Sequence, residues 1–136
     1  MADEPCRVVC GGSTWQISRR RLGKGGFASV FEASSQHGMR AAVKVVDLRQ
    51  QSAWVKAKLR SEAENLERAQ THANIVRFYG AVRCGSHHVF VLEAWGRDLL
   101  EQVLETRGIG EKRSLHVMTQ VLCALDWLHS KNICHG

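Results

Sequence analysis

From Leu22 to Val30 the chain reads Leu22-Gly23-Lys24-Gly25-Gly26-Phe27-Ala28-Ser29-Val30, and a polar turn later comes Ala41-Ala42-Val43-Lys44. Glycine lets the backbone turn sharply and come close to a ligand that a Cβ would hold away. The residues after the turn, Phe27 to Ala33, are rich in aromatic and β-branched types and predict a strand. The next apolar run carries an ammonium, at Lys44. A glycine turn between strands, with a strand cation beside it, implies bound phosphate and hence a nucleotide.

The glycines alone do not select which nucleotide. Gly23-x-Gly25-x-x-Ala28 satisfies the relaxed dinucleotide fingerprint, but that site needs a helix to begin at the glycines. Here a strand follows. A P-loop needs Gly-Lys-Ser/Thr at the end of the turn, and none is present. A purely structural glycine hairpin stays open on these residues.

In chain order, residues 1–14 hold Gly11-Gly12-Ser13 without periodicity and predict a loose lead-in. Trp15 to Leu22, Phe27 to Ala33 and Arg40 to Val46 predict three strands of an antiparallel meander. Ser52 to Gln70 turns helical, with Ser52 as N-cap. Val55, Leu59, Leu66 and Ala69 form one stripe, and Glu62 falls on it. A carboxylate on an apolar face is costly unless a cation meets it, so Glu62 requires a partner. Thr71 to Asn74 breaks the helix. Ile75 to Arg83 and His87 to Leu92 predict two further strands about a Cys84-Gly85-Ser86 turn. After Glu93 to Asp98 the chain becomes helical, over Leu99 to Thr106 and then along Leu115, Met118, Leu125 and Leu128. Strands first and helices last predict an α+β fold in two lobes meeting near residues 93–97.

The bulk properties are compatible with this. The net charge of +6 suits anionic partners without selecting among them, and Arg19-Arg20-Arg21 reads as a solvated strand face. The five cysteines are an odd number with no C-x-x-C pair, as expected of reduced thiols. No apolar run reaches membrane-spanning length, and the start lacks signal-peptide character. A cytoplasmic protein is expected, with no membrane or nucleic-acid partner. Cys84 with His87 and His88 lacks a second ligand pair, so a turn is expected there and no metal site.

A glycine hairpin, a strand lysine and a helix glutamate that fixes the lysine form one device for holding phosphates. With these in place the sequence resembles the eukaryotic-type protein kinases, with a glycine loop similar to the polo-like members. Further motifs follow in the same order: His72-Ala73-Asn74-Ile75-Val76, Val89-Phe90-Val91-Leu92-Glu93, and the stretch from Ala124 through His129 to His135. The resemblance implies a five-stranded antiparallel N-lobe sheet with one helix over residues 15–92, a hinge at 93–98, and the first C-lobe helices over 99–136. It implies ATP and a protein substrate as partners, and serine/threonine phosphorylation as the activity.

It also implies roles for matching residues. Gly23, Lys24, Gly25, Gly26 and Ser29 would close over phosphates, with Phe27 at the tip and Ala28 in place of a third glycine. Leu22, Val30 and Ala42 would roof the adenine and Leu92 would gate the back of its pocket. Lys44 would contact the α- and β-phosphates and pair with Glu62. Backbone groups of Glu93 and Trp95 would meet the adenine edge, and Asp98 the ribose. Glu93 and Asp98 would serve equally as plain surface acids.

The kinase match ends at His135-Gly136, with glycine where arginine is usual. In the family the catalytic aspartate and the magnesium ligands follow that point, so Mg2+ is expected with ATP but its ligands are not in this chain. A truncated domain, inactive alone, is expected, with the apolar face of residues 115–128 prone to aggregation. The alternative is a non-catalytic kinase-like module that binds nucleotide or a partner as a scaffold.

Overall fold

The computed structural model describes residues 6–135, so the expectation attached to Gly136 lies outside the described residues. Two units divide the chain: residues 1–67 with 77–94, and residues 68–76 with 95–136.

The first unit is a six-stranded antiparallel sheet with one helix. Its strands are β1 (Arg7–Cys10), β2 (Ser13–Lys24), β3 (Ala28–Ser35), β4 (Arg40–Asp47), β5 (Phe78–Cys84) and β6 (His87–Glu93), in the order β1-β2-β3-β4-β6-β5. The helix α1 spans Ala53–Arg68, its last residue assigned to the second unit. The α+β class is as expected, but five strands become six, because Arg7–Cys10 in the expected lead-in pairs with β2. Gly11 and Gly12 close that hairpin as a two-residue loop with φ of +58° and +74°. Two successive positive φ values match the right-handed twist of the flanking strands, which is why glycines stand there. β5 begins at Phe78, later than Ile75.

Alternation along the strands separates two cores. One face sends Val8, Trp15, Ile17, Phe31, Ala33, Val43, Val45, Val89 and Val91 into a single cluster. The sheet curls so that β1 reaches β5: the Cys10 thiol lies 3.8 Å from the Tyr79 carbonyl, and the Trp15 and Tyr79 ring centroids are 4.9 Å apart. Burial in this seam pushes the Cys10 thiol pKa up. The opposite face holds Val46, Leu48, Phe78 and Phe90 under Leu59 of α1, with Val55, Ala63 and Leu66 packed alongside. Ser52 caps α1 as expected, its hydroxyl accepting from the Val55 amide at 3.3 Å. Ala, Leu, Lys and Glu, all strong helix formers, fill most of the helix itself.

The seam yields a sharp test. A Cβ at Gly11 would stand 2.3 Å from the Tyr79 carbonyl oxygen, whereas one at Gly12 would meet nothing within 4 Å. Both φ values cost about 1–2 kcal/mol for alanine, but only Gly11→Ala adds a backbone clash. Urea unfolding should show Gly11→Ala less stable than Gly12→Ala by at least about 1 kcal/mol.

The second unit contains α2 (Leu99–Thr106) and α3 (Glu111–Ser130). Trp127 organises it: Nε1 donates to the Ala69 carbonyl at 3.1 Å, and the ring lies against His72. Arg68 donates to the Lys131 carbonyl nearby. Arg107 ends α2 in a left-handed conformation, and Arg97 pairs with Glu101 and Glu105. Leu115, Met118, Val121 and Leu122 of α3 are exposed. Among the described residues no helix is long and apolar enough to cross a membrane.

Candidate nucleotide-phosphate site

β-Strand register sets the site. Val30 pairs with Lys44, and Lys44 with Phe90; Ala42 pairs with Leu92, and Val46 with His88. Directly opposite residues, and those two apart along a strand, share a face. Val30, Ala42, Lys44 and Leu92 therefore occupy one surface, together with Phe90 and His88, and this is the surface that α1 covers.

Lys44 Nζ donates to Glu62 Oε1 at 2.7 Å, joining the middle of the sheet to the helix. The ammonium also lies 5.1 Å from the centre of the Phe90 ring. The two charged side chains are 26% and 39% exposed, so water screens the pair only in part. A charge-assisted bond in such a place contributes about 1–3 kcal/mol and, more to the point, fixes where the ammonium stands. Strand β4 thus supplies the partner that Glu62 required on the helix stripe.

Other ion pairs in this unit reach into solvent. Glu32 takes Arg20 and Arg40, whose side chains are largely exposed; the Arg40 hydrogen bond holds the Glu32 carboxyl below its ordinary range. Arg49 beside Asp47 holds that carboxyl down at about 2. Arg19, Arg20 and Arg21 are all exposed.

The glycine turn is a hairpin tip. Gly23 pairs with Val30 and Lys24 with Ser29, and the Gly25 amide donates to the Ala28 carbonyl at 2.8 Å. None of Gly23, Gly25 and Gly26 has a positive φ. A Cβ on Gly23 or Gly26 would meet no atom within 4 Å, and one on Gly25 would meet the Ala28 carbonyl at an ordinary 3.7 Å. The fold makes no demand for glycine here. What glycine adds is backbone without side chains beside a fixed ammonium, which suits a phosphate chain. Phe27 is exposed at the tip and Leu22 is also largely exposed, while Ala28 packs toward the α1 core.

Glu93 at the end of β6 has its amide and carboxylate engaged with Arg77: the amide donates to the Arg77 carbonyl, and Oε2 accepts from the Arg77 amide. Trp95 and Asp98 belong to the second unit. Trp95 is exposed. Asp98 is the N-cap of α2, Oδ1 accepting from the Glu101 amide at 2.7 Å. Among the described residues no group of three or more His, Cys, Asp or Glu stands together to hold a metal ion such as Mg2+.

Phe90 and His88 were not among the sequence candidates. The signal was present in the alternation His88, Phe90, Leu92, which puts all three on one face of β6.

The strand-rich unit is thus a curled antiparallel sheet carrying a glycine hairpin, with a strand lysine bonded to a helix glutamate. The protein kinase domain family matches residues 17–136, and the chain belongs to that family. It is 25% identical over 117 residues to the probable serine/threonine-protein kinase zyg-1 of Caenorhabditis briggsae, covering 85% of this chain and 16% of the relative. It is 33% identical to the serine/threonine-protein kinase ATG1a of Arabidopsis thaliana, over 85% of this chain and 18% of that protein. With serine/threonine-protein kinase PLK4 of Drosophila persimilis the identity is 30%, over 84% of this chain and 15% of that one. The chain thus spans about a sixth of the length of these relatives, and the polo-like character of its glycine loop has a counterpart among them.

Proposed function

We propose that this chain is the ATP-gripping part of a protein serine/threonine kinase, binding MgATP without transferring its phosphoryl group on its own. The observation that carries this reading is the 2.7 Å bond between Lys44 Nζ and Glu62. It holds an ammonium on the sheet surface that also bears the glycine hairpin, at the place where the family grips the α- and β-phosphates. ATP supplies the phosphoryl group; the residues of this chain bind and orient it. Gly23 to Ser29 cover the phosphates, Val30, Ala42 and Leu92 take the adenine, and Lys44 neutralises charge. The family pattern adds backbone groups of Glu93 and Trp95 for the adenine edge and Asp98 for the ribose. It also divides the chain into an N-lobe over 15–92, a hinge at 93–98 and C-lobe helices from 99. The phosphate acceptor is a protein serine or threonine, and the setting is the cytoplasm.

Thermal shift separates this from a dinucleotide site. MgATP at about a hundred times its Kd adds about 2.7 kcal/mol to the folded state, and a clear rise in Tm is expected. NAD at the same concentration should leave Tm unchanged. A rise with NAD and none with MgATP would overturn the proposal.

A further inference from the structure

We propose that His88 makes the Lys44–Glu62 clamp sensitive to pH, a proton on its ring loosening the hold of Glu62 on Lys44 and so weakening the grip on nucleotide. The nucleotide half of this inference rests on the function proposed above; the coupling between His88 and the clamp does not.

The geometry is a row of contacts on one sheet face. Glu62 holds Lys44, the Lys44 ammonium lies over Phe90, and the Phe90 ring centroid is 4.7 Å from that of His88. His88 Nε2 is buried and has no hydrogen-bond partner among the described residues. A neutral imidazole can leave one nitrogen unpaired at modest cost, but an imidazolium donates from both nitrogens and a buried unpaired donor is expensive.

The charged groups acting on His88 are Glu62 from α1, Lys44 from β4 and Arg83, its register partner, from β5. Its β4 register partner, Val46, is apolar. Two cations and one carboxylate thus act on the ring, and the carboxylate is already bonded to Lys44. A third positive charge must share Glu62, and what the imidazolium gains the ammonium loses.

Burial, the largest influence, lowers the His88 pKa from its ordinary 6.5, and Glu62 opposes that shift. For a group depressed in the folded state, the contribution is fully present above the ordinary value and lost as pH falls through the folded one. The clamp is therefore tight at neutral pH and loosens as pH falls through the folded-state pKa of His88, which lies below its ordinary 6.5.

Two measurements test this on the chain as it stands. First, NMR titration of the His88 ring without nucleotide should give a lower pKa in Glu62→Gln and a higher one in Lys44→Met than in the wild type. A titration that neither substitution moves would overturn the coupling. Second, calorimetry from about pH 7.5 to about one unit below the His88 pKa found by that titration should show MgATP affinity falling by up to about tenfold more in the wild type than in His88→Phe, one pKa unit being worth a factor of ten. The titration of ATP itself cancels in that comparison. His88→Leu serves as a second variant should the phenylalanine not fold, as judged by melting at neutral pH. Equal pH dependence in wild type and variant would overturn the switch. A wild type that binds no MgATP at either pH would overturn the proposed function and the nucleotide half of the inference, and the ring titration would still decide the coupling.

Discussion

Trp15→Ala is expected to unfold the strand-rich unit at room temperature or bring it to the edge of unfolding. Trp15 is fully buried, its indole N–H donates to the Cys10 carbonyl at 3.1 Å, and its ring lies against Tyr79. It therefore joins β1 and β2 to β5, the two ends of the sheet. Truncating a buried tryptophan costs about 3–5 kcal/mol, and a whole domain has only about 5–15 kcal/mol to lose. The cavity would open in the core cluster that also holds Val43 and Val45, on the reverse of the strand that carries Lys44. Urea unfolding followed by circular dichroism should show the loss, and MgATP binding should go with it. Trp15→Phe restores most of the volume and loses the indole N–H bond to the Cys10 carbonyl, for about 0.5–1.5 kcal/mol. A Trp15→Ala protein within about 1 kcal/mol of wild type would contradict the account of the seam.

Lys44→Met should weaken MgATP binding by about 30- to 160-fold, the worth of one charge-assisted contact of about 2–3 kcal/mol. The unit should stay folded. Methionine keeps the chain length over Phe90, and Glu62, already 39% exposed, can turn its carboxylate to water once Lys44 is gone. Calorimetry and a urea curve on the same sample separate the two effects. Unchanged affinity would remove Lys44 from the site.

Much of this was legible in the sequence where the determining physics is local. Ser52 before a run of helix formers marked the start of α1, and the limits of α2 at Leu99 and Thr106 followed from a short apolar-periodic stretch. Glu62 was legible because a carboxylate on an apolar stripe violates a local rule unless something answers it. The strand Arg7–Cys10 was missed for the opposite reason. Four residues carry too little periodicity, and what makes Val8 and Cys10 a core face is β5, far along the chain. The Gly11-Gly12 dipeptide was the available signal, since two glycines between short β-like runs suit a two-residue hairpin loop. His88 was hidden by its neighbours, being weighed with Cys84 and His87 as a turn or half a zinc site. Its inward position follows only once β6 is in register with β4. On α3 the periodicity marked Leu115 and Met118 correctly as one stripe, but a stripe records which side chains share a face, not whether that face is covered.

The central claim is that Glu62 serves nucleotide binding by holding Lys44. Calorimetric titration of MgATP into wild type, Lys44→Met, Glu62→Gln and the double variant tests it most directly. Glu62→Gln alone should weaken binding by about three- to tenfold, and adding it to Lys44→Met should cost almost nothing more, a coupling of about 0.6–1.4 kcal/mol. Two independent, additive losses would contradict the claim, as would a Glu62→Gln protein that binds MgATP as tightly as the wild type.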